Sequence, residues 1–490
     1  MNIDLKNYEN KNFILFLVIH LLVWTSVALI RVIMPTDALE GIFWGSLHDF
    51  GTPKHPPLAG WLTYLAYAPF KSDFCVYLMS QLFIVAGFVY VYKLAKFFLD
   101  TNKAMISVIL LEGCWVYSYI TGYYGFNPDV ILLFTLPAIS YYFYKCVKFN
   151  KAVDWVVFGL LVGFAFLNKY QTALVIFAMV IWALWFKREV FKNKFLYLSI
   201  ILAFLVFLPH LLWLFKYDFF PFMYFEGELN DTSWLNHITA PLMFLLLQIA
   251  VIAGSLLIYF IMKWKFKSPF TFIKNYRKED FWYLILLGFV PLVVHLIMGF
   301  YAGGTMRPRW GFEFWFLTGV MLCYFIPTNI GKNEFKFVLK LAYTIMFIIF
   351  IAMGTLLSVE KNYRSRYPVK LVFEDLKTFW AQKSDERLKY VGGYLEWSLP
   401  LTIYGDTHPA TILDTFGYKN PWIDEDDLKK SGALIIDRTK ENVIRHTQKA
   451  CAYLPQDLVI EPTPYKFTLT NAFNQKREYT VYYYIVEPIK

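Results

Sequence analysis

The chain has 490 residues, 58% hydrophobic and 20% aromatic, with a mean hydropathy of +0.43; soluble domains are about half apolar at most and rarely hold that content in long uninterrupted runs, so a soluble globular class is excluded and a polytopic membrane protein is expected. The net charge is +10, but residues 360–490 hold 19 Lys and Arg against 18 Asp and Glu, so an excess of nine lies in residues 1–359. A basic balance confined to the apolar part reads as loop topology, and nucleic acid is excluded as a partner.

The N-terminus, MNIDLKNYENKN, leads into an apolar run over about 13–34 with no small-residue cleavage site after it. It reads as an uncleaved first helix. Residues 35–73 follow as an external loop, and within it TDALEGIFWGSLHDFGTPKHPPLAGW (36–61) gathers Asp37, Glu40 and Asp49 beside His48, Lys54 and His55, with Trp44 and Trp61 among them. Charge is costly in or near a bilayer, so such a cluster is a candidate site by default. The plain alternative is a solvated loop closed by a Pro-Pro stop.

Further apolar runs fall at about 74–99, 104–122, 129–145, 153–168, 171–186, 195–214, 238–262, 281–301, 310–326 and 335–359, for about eleven spans, thirteen at most. Alternate connections carry the cations: Lys93, Lys96 and Lys103; Lys145, Lys148 and Lys151; Lys187 to Lys194; Lys263 to Lys278, including Lys274; and Lys332, Lys336 and Lys340. Placed on one side with the N-terminus, they mark the cytoplasm. The connections at 35–73, Gly122–Asp129, Asn168–Lys169, 215–237 and 302–309 then face outward, and an odd number of spans puts the C-terminal region outside too. From about Glu360 charges become frequent. The runs LKYVGGYL, LTIYG, ALIID and EYTVYYYIVEP read as short strands and DEDDLKK as a helix start, so 360–490 is expected to be a small α/β domain after a transmembrane domain of 1–359. The five cysteines show no CxxC or His/Cys metal spacing.

Three polar stretches share the outer face: the first loop, GYYGFNPD (122–129) and AGGTMRPRW (302–310). Asp37 is the first acid after the first span, where a carboxylate can accept a proton from a hydroxyl or hold a divalent cation. Two prolines after His55 fix its turn, and His55 and Lys54 suit a phosphate. Asn127-Pro128-Asp129 fits an N-cap, a role compatible with a functional Asp129. Arg307 and Arg309 offer forks for phosphate oxygens, or snorkel to headgroups. Lys169 is a further phosphate contact, or an interfacial turn lysine.

At these motifs the chain resembles a family. Asp37, Trp44 and His55-Pro56-Pro57-Leu58, spaced D-x(6)-W-x(10)-HPPL, are similar to the first external loop of bacterial glycosyltransferases of the aminoarabinose-transferase (lipid A-modifying) and protein-mannosyltransferase superfamily. NPD at 127–129, NKY at 168–170, PHLLW at 209–213 and RW at 309–310 follow in order, and the likeness covers about Phe13 to Pro327. It departs where members read Asp-Glu (here Asp37-Ala38, with Glu40 nearby) and Asp-His-Pro-Pro (here Lys54-His55-Pro56-Pro57).

The resemblance implies a GT-C fold: a polytopic α-helical membrane domain with a C-terminal periplasmic α/β domain. It implies sugar transfer from a polyprenyl (undecaprenyl) phosphate-linked donor to lipid A or another envelope glycolipid, at a site facing the periplasm of a bacterial inner membrane. Asp37 would be the catalytic acid, with Glu40, Trp44, Lys54, His55, Asn127, Asp129, Lys169, Arg307 and Arg309 binding substrate. A divalent cation, with Asp37 and His55 as its candidate ligands, is left open as a cofactor. The partners expected are the donor lipid, a glycolipid or protein acceptor and the bilayer. A protein O-glycosyltransferase with the same donor is the alternative, and a polytopic transporter or flippase the second; a transporter would show repeat symmetry and helices broken at the midplane.

Overall fold

An apolar backbone in a bilayer satisfies its own polar groups only by coiling or by closing a barrel. The computed structural model describes residues 7–229, 233–269, 271, 273, 276–304, 306–326, 328–413, 420–455 and 457–489, with the backbone alone at 224, 225 and 227–229. Lys274 and Thr305, used above, lie outside the described residues. The chain divides into two units: Met1–Ser26, Phe50–Ala59 and Cys75–Met353 form one, and Val27–Asp49, Gly60–Phe74 and Gly354–Lys490 the other.

Among the described residues six helices are long and apolar enough to cross a membrane: Tyr8–Leu29, Asp73–Ala95, Pro128–Phe149, Lys194–Lys216, Lys278–Ala302 and Lys332–Val359. The shortest, with 22 residues, reach about 33 Å, enough for the hydrocarbon core. Two helix pairs pass the same test only together and are bent, Thr101–Gly113 with Trp115–Tyr124 at 82° and Asn236–Val251 with Ala253–Lys265 at 48°, the geometry of a broken span or a re-entrant loop. Ala152–Asn168 and Thr172–Phe186 are apolar but shorter. The expected span at 310–326 is broken into the turns Pro308–Gly311 and Trp315–Leu317 and the short helix Thr318–Tyr324. Ten of the eleven runs are thus apolar helices or bent pairs, six to eight of them spans by length.

Small residues set the helix crossings of the first unit. A Cβ on Gly159 would come within 2.6 Å of the Ser199 carbonyl, and one on Gly163 within 2.6 Å of Val206 Cβ. The helices Ala152–Asn168 and Lys194–Lys216 therefore touch backbone to backbone along glycines four residues apart. The bent pairs meet at their breaks: Gly113 lies against Gly254, and Ser255 donates its hydroxyl to the Leu110 carbonyl at 2.7 Å. Deep in the same unit, Glu112 accepts hydrogen bonds from Trp24 at 3.0 Å and pairs with His20 at 2.6 Å. That satisfies both oxygens of a fully buried carboxylate and ties the first helix in place.

In the second unit, β1 (Tyr390–Gly393), β2 (Ala410–Leu413), β3 (Ala433–Asp437), β4 (Thr463–Thr470) and β5 (Lys476–Val486) form one sheet in the order β2-β1-β3-β5-β4. β1 runs parallel to β2 and β3, while β5 runs antiparallel to β3 and β4. The central β3 is buried throughout, whereas the edge strand β4 alternates, as a one-sided strand must. DEDDLKK does begin a helix: Asp424 caps Glu425–Ser431 by accepting from the amides of Asp426 and Asp427. LTIYG is not a strand but the end of the helix Leu395–Tyr404, whose residues from Leu395 to Ile403 are buried except Glu396. It packs on Thr36–Ser46 of the same unit. Tyr404 clamps this contact by donating to Asp73 at 2.8 Å and accepting from the Met34 amide at 3.1 Å.

Candidate active site

The stretch expected as a loop at 35–73 is mostly helix: Thr36–Ser46 and Leu58–Tyr67. Pro35 occupies the N-cap of the first, which places Asp37 in its first turn, where the helix dipole favours a carboxylate. Asp37, Glu40 and Trp44 stand three and four residues apart, so the spacing read as a loop motif is a helical stripe. Asp37 is half-buried and Glu40 buried. Trp44 packs edge-on against Trp422 at 5.0 Å and tilted against Phe43 at 5.0 Å, and its indole nitrogen is buried without a hydrogen bond among the described residues.

In the first unit, Lys54 and His55 sit in a turn closed on Thr52. The Thr52 hydroxyl accepts from the amides of Lys54 and His55 and donates to the His55 carbonyl at 2.8 Å. The turn is anchored from below by PHLLW. His210 pairs through Nδ1 with the Phe50 carbonyl at 2.6 Å, and the Trp213 ring fills the space in front of Gly51. On its other nitrogen His210 meets the Tyr170 hydroxyl at 2.7 Å. Tyr170 follows Lys169 directly, so the HPP turn and the NKY turn are parts of one hydrogen-bonded network.

Asn127 is a cap: its side-chain oxygen accepts from the amides of Asp129 and Val130, with Pro128 at the first helical position. Asp129 is also an ion-pair partner, since Lys169 Nζ bonds its carboxylate and both side chains are nearly buried. Asn168 adds a hydrogen bond to the Pro128 carbonyl at 2.8 Å. The connections at Gly122–Asp129 and Asn168–Lys169 are therefore joined by a nearly buried charge pair. The third polar stretch reaches the same place. Arg309 lies 5.6 Å over the ring of Tyr124, and Arg307 is half-buried at the start of the turn Pro308–Gly311. Gln248 holds that turn through the Pro308 carbonyl at 2.9 Å.

Behind this cluster lies a group that the motif reading passed over. Glu313 is 1% exposed, and neither of its carboxyl oxygens has a hydrogen-bond partner among the described residues. Its nearest cation-capable neighbour, His295 Nδ1 at 3.4 Å, is committed to the Pro291 carbonyl at 2.9 Å. Gln171 Nε2 meets His295 Nε2 at 3.1 Å. Glu313 is the only acid between Asp280 and Glu334, and that isolation in an apolar stretch is the signal that could have found it. Among the described residues no three His, Cys, Asp or Glu side chains gather as a metal cage.

The family model for dolichyl-phosphate-mannose-protein mannosyltransferases matches residues 54–213, from the HPP turn to PHLLW. No curated protein matches the chain. Among solved structures, ArnT from Cupriavidus metallidurans bound to undecaprenyl phosphate is similar with a TM-score of 0.64 and 14% identity over 96% of this chain and 97% of that one. The archaeal oligosaccharyltransferase AglB from Archaeoglobus fulgidus, in complex with an inhibitory peptide and a dolichol-phosphate, gives 0.44 and 11% over 97% and 74%. At that score the second similarity carries no argument. The first extends over nearly the whole of both chains and shows the fold. The chain thus shares the fold of a polytopic membrane glycosyltransferase, ArnT, and carries over 54–213 a stretch that matches the mannosyltransferase family model.

Proposed function

We propose that the protein moves a sugar from a polyprenyl-phosphate donor to lipid A or another envelope glycolipid on the periplasmic face of a bacterial inner membrane. The observation that carries this reading is the meeting of the outer connections of the membrane unit. Lys169 with Asp129, Arg309 on Tyr124 and the braced turn of Lys54 and His55 form one network at the ends of apolar helices. Cations at the edge of a hydrocarbon layer suit a phosphate whose isoprenoid chain lies between helices. ArnT, which shares the fold, is bound to undecaprenyl phosphate.

In the reaction an acceptor oxygen attacks the anomeric carbon as the bond from that carbon to the carrier phosphate oxygen breaks, and the phosphate leaves with the electron pair. Where the acceptor is a hydroxyl, its proton passes to the Asp37 carboxylate. Where it is a phosphate, it arrives as an anion and Asp37 orients it. Lys54, His55, Arg307 and Arg309 offset the charge that grows on the leaving phosphate. A divalent cation at Asp37 would draw its other ligands from substrate phosphates and water, as magnesium commonly does.

Protein O-glycosylation is the second reading, favoured by the matched mannosyltransferase model. Purified protein given a polyprenyl-phosphate sugar, with lipid A and a Ser/Thr peptide as competing acceptors, decides between them. Label on lipid A is the expected result; label on the peptide alone transfers the proposal to the second reading, and none on either removes both.

A further inference from the structure

The membrane-facing end of the sheet holds a site that the transfer reaction does not use. The helix Lys332–Val359 ends at Val359, and the β4–β5 turn is bonded to that end: the Ala472 amide donates to the Ser358 carbonyl at 3.0 Å and Asn471 Nδ2 to the Val359 carbonyl at 3.0 Å. These bonds occupy carbonyls that a helix end leaves open. One residue further on, a cleft of about 400 Å³ opens, lined by the cations Lys361, Arg364 and Arg477, by Asn362, Tyr363 and Tyr479, and by one acid, Glu360. Ligand sites commonly have volumes in this range.

We infer that this cleft binds the phosphate-bearing headgroup of an anionic lipid in the leaflet where the first and last spans end.

Three observations carry the inference. The first is charge. Among the described residues Lys361 and Arg477 have no carboxylate within ion-pair distance. The carboxylates nearby are already engaged: Glu396 accepts from the Tyr363 hydroxyl at 2.7 Å and pairs with Arg364 at 2.7 Å, and Glu360 accepts from the Ser365 hydroxyl at 2.8 Å. The second is geometry. The Arg477 guanidinium lies 5.0 Å over the Tyr479 ring and that of Arg364 5.8 Å over Tyr363. Each fork is steadied on an aromatic face, which suits bidentate contact with phosphate.

The third is position. The cleft lies between the segment that follows the last span and the first residues of β5, where β5 pairs with the end of β4. Arg31, two residues beyond the end of the span Tyr8–Leu29, donates to the Arg364 carbonyl at 3.3 Å. The ends of the first and last spans thus meet at this edge, at headgroup level, where tyrosines are also favoured. A phosphate arriving here is carried by a lipid. The inference does not rest on the transferase reading, since no residue of the cleft belongs to the site described above.

The test uses the full-length protein, delipidated in detergent. Native mass spectrometry measures retention of phosphatidic acid and of phosphatidylcholine, with inorganic phosphate as competitor. Wild type should retain phosphatidic acid about tenfold better than phosphatidylcholine, as two or three interfacial cations would give. Lys361→Gln with Arg477→Gln should lose that preference while keeping the lipid-free Tm and the transfer rate. Should the pair unfold, Arg477→Lys alone, which keeps the charge and loses the fork, should give an intermediate preference. An unchanged preference in the variants overturns the site. Complete displacement of the lipid by millimolar phosphate overturns the lipid as its ligand.

Discussion

Asp37 stands in the first turn of its helix, where a carboxylate with a merely structural role contributes roughly 0.3–1 kcal/mol through the dipole and little to rate. As the group that takes or orients the acceptor it is worth about 10²–10⁴ in rate. Asp37→Asn keeps the shape and removes the charge. Normal expression with transfer reduced at least about a hundredfold is expected in the polyprenyl-phosphate assay; a rate within a few-fold of wild type moves the role to Glu40, one turn along. The Asp129–Lys169 pair behaves differently, because its side chains are only 8% and 13% exposed. Removing either partner strands the other charge and should cost about 3–5 kcal/mol, and Asp129→Asn with Lys169→Met should cost clearly less than the sum. Thermal unfolding of the four proteins in one detergent measures this, and strict additivity would show that the pair is not coupled. At this scale the sequence was legible wherever a residue stood in a short motif. Asn127 as a cap and Asp129 beside it needed only local rules. Glu313 and His295 stand in no such motif: Glu313 shows only as a lone acid in an apolar stretch, and His295 meets Gln171 from 124 positions away.

Helix crossings make their own demands. Gly159 and Gly163 leave no room for a side chain against Ser199 and Val206. Gly159→Leu must push two helix backbones apart, at a cost of 1–3 kcal/mol or more for overpacking. It should lower Tm by several degrees, whereas Leu160→Ala, on a partly exposed neighbour, should change it little; equal effects would argue against the crossing. The elements that the sequence misplaced share a physical cause. LTIYG has strand-forming residues, but it is one turn of a helix buried on nearly every side, and burial overrides propensity. The stretch 36–61 looked like a loop because its charges hid a three-four spacing of Asp37, Glu40 and Trp44. The run 310–326 is apolar enough to span, yet Pro308, Gly311 and Gly319 break it into short turns that neighbours then bury. β2 and β4 went unseen: one has four residues, the other carries the alternation of a half-exposed edge. Most long apolar runs, by contrast, became single helices or bent helix pairs, since a bilayer leaves the backbone few alternatives.

For the whole molecule the open quantity is the parity of crossings, and it turns on the broken segment Pro308–Tyr324. If that segment returns the chain across the membrane, reporters fused after Lys278 and at Lys490 will report opposite sides, with the second in the periplasm. Both reporting cytoplasm would overturn the orientation drawn from the lysine-rich connections. Order of synthesis adds a constraint of another kind. The contact between the two bent pairs joins Leu110 to Ser255, 145 residues later. At roughly 5–20 residues per second, the ribosome needs on the order of ten seconds to deliver the second partner. Throughout that interval the first bent helix stands in the lipid with Gly113 facing no backbone. Its kink is completed only when Gly254 arrives, which makes this glycine pair a late checkpoint in biogenesis. A nascent chain halted before residue 254 should therefore be the form that quality-control proteases in the membrane find first.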